Sequence, residues 1–222
     1  MLTRADLEND LLRRHLVQQN PGLPYLSDAE FQASLDRVVA EHPAGTECWV
    51  FGYGSLIWNP LFEHDTRELA TIHGYHRAFC LWSRTGRGTP EHPGLMLGLD
   101  RGGRCHGVAF RIPAARVRDE LALLWRREMP MGSYAPRWTK TRIGTREHRT
   151  LAFVVNRCHP FYAGRLATDM IVETLATARG RFGPGWEYLF QTVECLHAHG
   201  LRDPRLEHLR SRVQERLRHA GS

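Results

Sequence analysis

Two places in the chain combine residue types that could do chemistry. The first is Phe51-Gly52-Tyr53-Gly54-Ser55-Leu56, directly after the apolar run Cys48-Trp49-Val50. Two glycines let the backbone turn sharply and let a ligand approach bare N–H groups. Such a nest suits a carboxylate or a developing oxyanion. From spacing alone an ordinary strand-ending turn is the simpler reading. The lysine and the spacing of a phosphate-binding Walker A loop are missing. Nor does Gly54-Ser55-Leu56 match the G-x-S-x-G of a serine hydrolase, although Ser55 as a nucleophile stays open.

The second place is Glu128. Val117, Leu121, Leu124 and Trp125 form an apolar stripe at helical spacing, and Glu128 continues it. Pro130 follows closely, so Glu128 falls at the helix C-terminus, where the macrodipole disfavours an anion. Both placements raise a carboxylate's pKa and fit a general base. Pairing with Arg126, Arg127 or another arginine accounts for the pattern equally well.

Weaker candidates follow. Met131-Gly132-Ser133-Tyr134 is another small-residue loop with a tyrosine hydroxyl, right after Glu128. His159-Pro160-Phe161-Tyr162 follows an expected strand; Tyr162 could cover a site, or simply be a buried tyrosine with a satisfied hydroxyl. His73-x-x-His76 and His197-x-His199 lack the acidic or cysteine partner that a zinc site needs. With 13 histidines such pairs arise by chance, so no metal is assigned.

Several elements must position these groups. Residues 4–19 carry a sparse apolar stripe, Leu7, Leu11, Leu12 and Leu16, and read as one helix ending at Asn20-Pro21-Gly22. Ser27-x-x-Glu30 is a capping box opening a second helix with Phe31, Leu35, Val38 and Val39 on one side. Residues 1–45 are thus expected to form a helical arm, and 46–222 the main domain. Strands are expected at 48–51, 78–82, 95–99, 105–112, 138–143 and 150–155. Asp100-Arg101-Gly102-Gly103 reads as a hairpin turn between two of them. A helix over 113–128 interrupts the strands, and helices over 168–179, 186–198 and 203–219 close the chain. Strands first and helices last point to an α+β fold. Its sheet would be mostly antiparallel or mixed, and could close on itself.

Composition narrows the partners. The 222 residues carry a formal charge of +6, nearly all the cations are arginine, and Lys140 is the only lysine. The arginines are dispersed among acids, as in Arg116-Val117-Arg118-Asp119-Glu120, and no basic run alternates with aromatics as a nucleic-acid groove requires. A solvated arginine-rich surface is the simpler reading, and modest steering of an anionic small substrate is a further one. No stretch is apolar enough to span a membrane, and the N-terminus lacks a signal peptide's apolar region, so the expected location is the cytosol. Five scattered cysteines without a C-x-x-C read as reduced thiols.

The stretch Val50-Phe51-Gly52-Tyr53-Gly54-Ser55-Leu56-Ile57-Trp58-Asn59-Pro60 resembles the opening of ChaC-type γ-glutamylcyclotransferases. Matching pieces follow in order: Gly74–Phe79, Trp82-Ser83, Pro93-Gly94-Leu95, Gly107–Phe110, Arg127-Glu128-Met129, Gly132-Ser133-Tyr134, Glu187-Tyr188-Leu189 and Gly200–Asp203. The resemblance implies a γ-glutamylcyclotransferase-like fold, a small mixed or antiparallel β-barrel with surrounding helices. It implies a lyase that converts glutathione to 5-oxoproline and Cys-Gly without a cofactor. Glu128 would be the catalytic base, and Tyr53, Gly54, Ser55 and Leu56 the substrate loop. Tyr134 and Tyr162 would add substrate contacts. Arg77, Arg84 and Arg137 flank the matching segments and are candidates for binding the glycine carboxylate of glutathione. Family members often have Gly-Gly-Tyr where this chain has Gly132-Ser133-Tyr134. An asparagine often precedes the late Glu-Tyr-Leu, where Gly183-Pro184-Gly185-Trp186 stands here. Other γ-glutamyl compounds as substrates, or a non-catalytic role in regulating cation transport, remain the competing expectations.

Overall fold

All five residues of β1 (Cys48–Gly52) are buried, which places this strand inside the protein and not on a two-faced edge. The structure, a computed structural model, describes residues 2–220. β1 pairs antiparallel with β3 (Gly94–Ile112), and β3 pairs along nearly its whole length with β2 (Thr66–Ser83). β2 then meets β4 (Tyr134–Ile143), and β4 forms a hairpin with β5 (Arg146–Val155). A short parallel pairing of β5 with β1 closes the barrel. The fold is α+β with a closed, mixed, five-stranded barrel. Closure leaves its main strands without free edges.

The hairpin expected at 100–103 is not there. The strands on either side of it form one strand, β3, whose Arg101 pairs with Tyr75 and Arg104 with His73. Gly102 and Gly103, at φ 97° and 73°, lie opposite Gly74 at φ 82°. These left-handed glycines absorb a bulge, so the strand bends without reversing. The strand expected at 78–82 begins instead at Thr66, its first half hidden in the sequence by exposed polar residues. The arm's first helix is also two: α1 (Arg4–Glu8) and α2 (Leu11–Gln19), broken at Asp10 with φ 52°. The turn lets Leu7, Leu12 and Leu16 all reach Leu123. The Ser27–Glu30 capping box does open α3 (Asp28–Ala40), and Leu35 and Val38 join the main core.

After one 3-10 turn comes α4 (Val117–Glu128), the helix that ends on the candidate base. Trp125 anchors it. Its ring is fully buried at 5.4 Å from Phe153 of β5, and its indole N–H donates to Ser34 Oγ of α3 at 2.7 Å. Helices α5 (Thr168–Thr177), α6 (Gly185–Ala198) and α7 (Pro204–Ala220) complete the chain, with a two-residue ladder, β6 (Arg179–Gly180) and β7 (Gly183–Pro184), before α6. Tyr188 of α6 packs edge-on to Phe79 of β2 and to Trp58.

Where β1 leaves the barrel, its backbone runs close to that of β3. A Cβ at Gly107 would lie 2.3 Å from the carbonyl oxygen of Gly52 and 2.8 Å from the Phe51 ring. Neither backbone nor a fully buried ring can yield cheaply, so Gly107→Ala overpacks the barrel by about 1–3 kcal/mol. Urea unfolding should show the lower midpoint with an unchanged slope. A midpoint equal to the wild type would mean that this end of β1 is looser than drawn.

Candidate active site

β1 delivers its chain end, and α4 its last residue, to one buried cluster. Beyond β1, Ile57 N–H donates to Gly54 O at 2.9 Å and Asn59 N–H to Ser55 O at 3.0 Å. Residues 54–59 therefore make overlapping helical turns, whose leading N–H groups find no partner within those turns. Gly54 faces Tyr188 and Leu97. A Cβ there would lie 3.2 Å from the Tyr188 hydroxyl and 3.8 Å from Leu97 Cδ1.

Glu128 is largely withdrawn from water, with 13% of its side chain exposed, and the side chain of Arg127 beside it is 8% exposed. Their Oε1–Nε distance is 3.0 Å. The same guanidinium donates from Nη2 to Ser55 Oγ at 2.9 Å, and from Nη1 to the carbonyls of Asn59 and Pro60. Arg127 thus ties the glycine loop to the carboxylate. Both sequence readings of Glu128 hold together: it continues the apolar face, and it pairs with an arginine. Burial raises its pKa and Arg127 lowers it, and burial is the larger effect.

Tyrosines wall the cluster. Tyr53 donates its hydroxyl to Phe153 O at 2.9 Å, and Tyr134 to Leu97 O at 3.0 Å. Tyr188 is bonded by the Leu97 backbone. Burial raises the pKa of all three, and the charge of Glu128 raises each further. They stay neutral phenols at any ordinary pH. The buried Leu56 packs in the same core, against Gly52.

The structure therefore brings together Tyr53, Gly54, Ser55, Leu56, Glu128 and Tyr134. Tyr162 stands apart. Its hydroxyl donates to Asp100 Oδ2 at 2.8 Å, and Arg157 shares that carboxylate. Of the three arginines singled out in the sequence, Arg77 is buried and engaged by His106 O, Cys105 and Asp203. Arg84 lines a hollow of about 530 Å³ against α5, and Arg137 a groove of about 700 Å³ between α3 and β4. Neither cavity is lined by Glu128, Tyr53 or Gly54, although the groove with Arg137 reaches Tyr134.

Three residues went unnoticed as site residues. Arg127 was legible only as one of several possible partners of Glu128. Tyr188 was visible only as part of a matching Glu-Tyr-Leu. Arg87 sits with its guanidinium 5.4 Å from the Tyr188 ring centroid, donating to Pro184 O and Glu187 Oε2, both at 3.2 Å.

This arrangement fits chemistry that needs one buried base, a loop of backbone donors and a closely walled substrate. The family model described as ChaC-like protein matches residues 48–216, which includes every residue of the cluster. The glutathione-specific gamma-glutamylcyclotransferase of Escherichia coli K12 is 39% identical over 186 residues, covering 83% of this chain and 80% of that protein. Gamma-glutamylcyclotransferase 2-1 of Arabidopsis thaliana is 34% identical over 158 residues, covering 67% of this chain and 73% of that protein. A crystal structure of a yeast glutathione-specific cyclotransferase superposes with a TM-score of 0.71 at 22% identity, over 77% of this chain and 96% of that one, and shares the fold. With a family model that spans the barrel, the loop and Glu128 alike, the chain belongs to the ChaC-like family.

Proposed function

We propose that this protein is a γ-glutamylcyclotransferase acting on glutathione, with Glu128 as general base. One observation carries the reading: a buried carboxylate held by Arg127 against the loop 53–56, in a chain of the ChaC-like family. The relatives' names supply the substrate class.

The reaction is intramolecular. The α-amine of the γ-glutamyl group attacks its own γ-carbonyl carbon. A C–N bond forms to close the five-membered lactam, and the amide C–N bond to cysteine breaks. The products are 5-oxoproline and Cys-Gly. Two protons leave the α-ammonium, and two reach the departing nitrogen. Glu128, its pKa raised by burial, takes a proton from the ammonium and returns it to the leaving amine. Backbone N–H groups of the loop receive the charge that develops on the carbonyl oxygen. Tyr134 does not donate there, because its proton is engaged by Leu97 O. The tyrosine walls hold the glutamyl chain folded, which supplies proximity. Tyr162 enters only as an outer wall, joined through Asp100 to the strand carrying Leu97.

In this reading Arg87 takes the place of Arg77, Arg84 and Arg137 as the candidate for the glycine carboxylate. It stands on the face of Tyr188, whose hydroxyl meets Gly54.

Glu128→Gln should keep the circular dichroism of the wild type and lose at least about 10²-fold in turnover. Wild-type release of 5-oxoproline by the folded variant would remove Glu128 from the mechanism.

The pH profile gives an independent check. Glu128 must be ionised to accept a proton, and its folded pKa lies above the ordinary 4.5. The acid limb of kcat/KM should therefore fall at a pH above 4.5, with activity rising as pH increases through it. Arg127→Met removes the charge that lowers this pKa, so the limb should move to higher pH. A limb that moves down would contradict the assignment.

Substrate choice is tested with glutathione and its glycine-amide analogue. A charge-assisted contact is worth about 1.5–3 kcal/mol, so the amide should lose about 10- to 100-fold in kcat/KM. In Arg87→Met the two compounds should become equal. An undiminished preference in that variant would place the carboxylate elsewhere.

A further inference from the structure

The helix that ends on the candidate base is gripped from a part of the chain that the family model does not reach. Arg4, on α1, makes a two-pronged pair with Glu120 of α4: Nη1–Oε2 and Nη2–Oε1 are both 2.8 Å. Glu120 is fully buried. It lies eight residues before Glu128, about 12 Å along the helix. It also accepts the backbone N–H of Glu63 at 2.9 Å, while Arg4 Nη1 donates to Leu61 O at 3.3 Å. Residues 61–63 continue the glycine loop, whose Asn59 and Pro60 carbonyls are held by Arg127. Two guanidinium groups thus bind the same two bodies, α4 and the loop, one at each end of the contact.

The rest of the arm reinforces that joint. Arg126 of α4 donates to Leu7 O at 3.1 Å and Glu8 O at 2.9 Å. Leu7, Leu12 and Leu16 pack against Leu123. On the far side of Glu128, Leu26 N–H donates to Pro130 O at 3.0 Å, and the Leu26 side chain lies against Gly132. Arm contacts therefore bracket Glu128 in the sequence.

We propose that Arg4 is a positioning residue for Glu128, locking α4 to the segment that continues the substrate loop. This rests on Glu128 being the base. Were Arg4 lost, Glu120 would keep only Arg116 at 3.4 Å and one backbone N–H, and a buried carboxylate so poorly paired would push α4 to shift. A shift of about 1 Å at a reacting group can cost about 10²-fold in rate.

The test compares Arg4→Met, Arg4→Lys and Leu12→Ala, the last weakening the same arm without touching the pair. Arg4→Met should lose about tenfold or more in kcat, with KM changed less than about threefold, because position and not affinity is disturbed. Arg4→Lys, which keeps the charge but not the fork, should fall between. Leu12→Ala should lower Tm and leave kcat near the wild type. A readout free of turnover is the titration of the Glu128 carboxyl by carbon NMR. In Arg4→Met water should reach it, and the midpoint should move down toward 4.5, the ordinary value.

An Arg4→Met protein with unchanged kcat and titration overturns the proposal. So does a Leu12→Ala protein that loses as much kcat, since arm docking in general would then be the cause. Lost kcat with an unmoved titration overturns the route through Glu128. If Arg4→Met fails to fold, Arg4→Lys is read by the same criteria. If the wild type does not turn over glutathione, the functional reading fails, and the titration alone decides the role of Arg4.

Discussion

A carboxylate held almost out of water beside a single guanidinium is the constraint on which this structure turns. Burial alone would raise the pKa of Glu128 further. A fully exposed ion pair would hold its pKa low and make it a weak base. Arg127 offsets part of the cost of burial and leaves the pKa raised. The same guanidinium also fixes Ser55 and the carbonyls of Asn59 and Pro60. Proton affinity and geometry are therefore set by one side chain, and changing either changes both.

The barrel is the frame that makes such a contact possible. β1 is buried on both faces and paired on both sides, antiparallel to β3 and parallel to β5, so the point where the chain leaves it is fixed. α4 is fixed independently, by Trp125 against Phe153 and Ser34. The loop and the base approach from two separately anchored elements, with Arg127 spanning the gap. The arm adds a second span two helical turns away. Two contacts define an orientation where one would leave a hinge.

Sequence reasoning picked out residues that the fold gathers together better than it traced the path of the chain. Glu128 was legible because an acid on an apolar stripe contradicts the pattern around it. The glycine loop was legible because Gly52 and Gly54 interrupt an apolar strand. The length of β3 was not: Asp100-Arg101-Gly102-Gly103 has the composition of a reversal, and only the opposing Gly74 makes it a bulge. That information lies 26 residues away and cannot be seen locally. Arg4 escaped, and Arg127 stayed one of several possible partners of Glu128, for a different reason. In an arginine-rich chain the type of the residue says nothing, and what singles these two out is burial and a partner brought near by folding.

Under the proposed mechanism the tyrosines explain why one carboxylate would suffice. Tyr53 and Tyr134 give their protons to backbone carbonyls, and all three phenols have raised pKa values. None can ionise or release a proton at neutral pH, so none competes with Glu128 for the proton of the substrate amine. Each phenolic oxygen still keeps lone pairs that can accept a hydrogen bond. Neutral acceptors of this kind can orient an ammonium without deprotonating it. Orientation and proton removal thereby fall to different residues. In the proposed mechanism the amine is held in line with its own carbonyl by groups that cannot react, while the single group assigned to accept its proton is held by arginine.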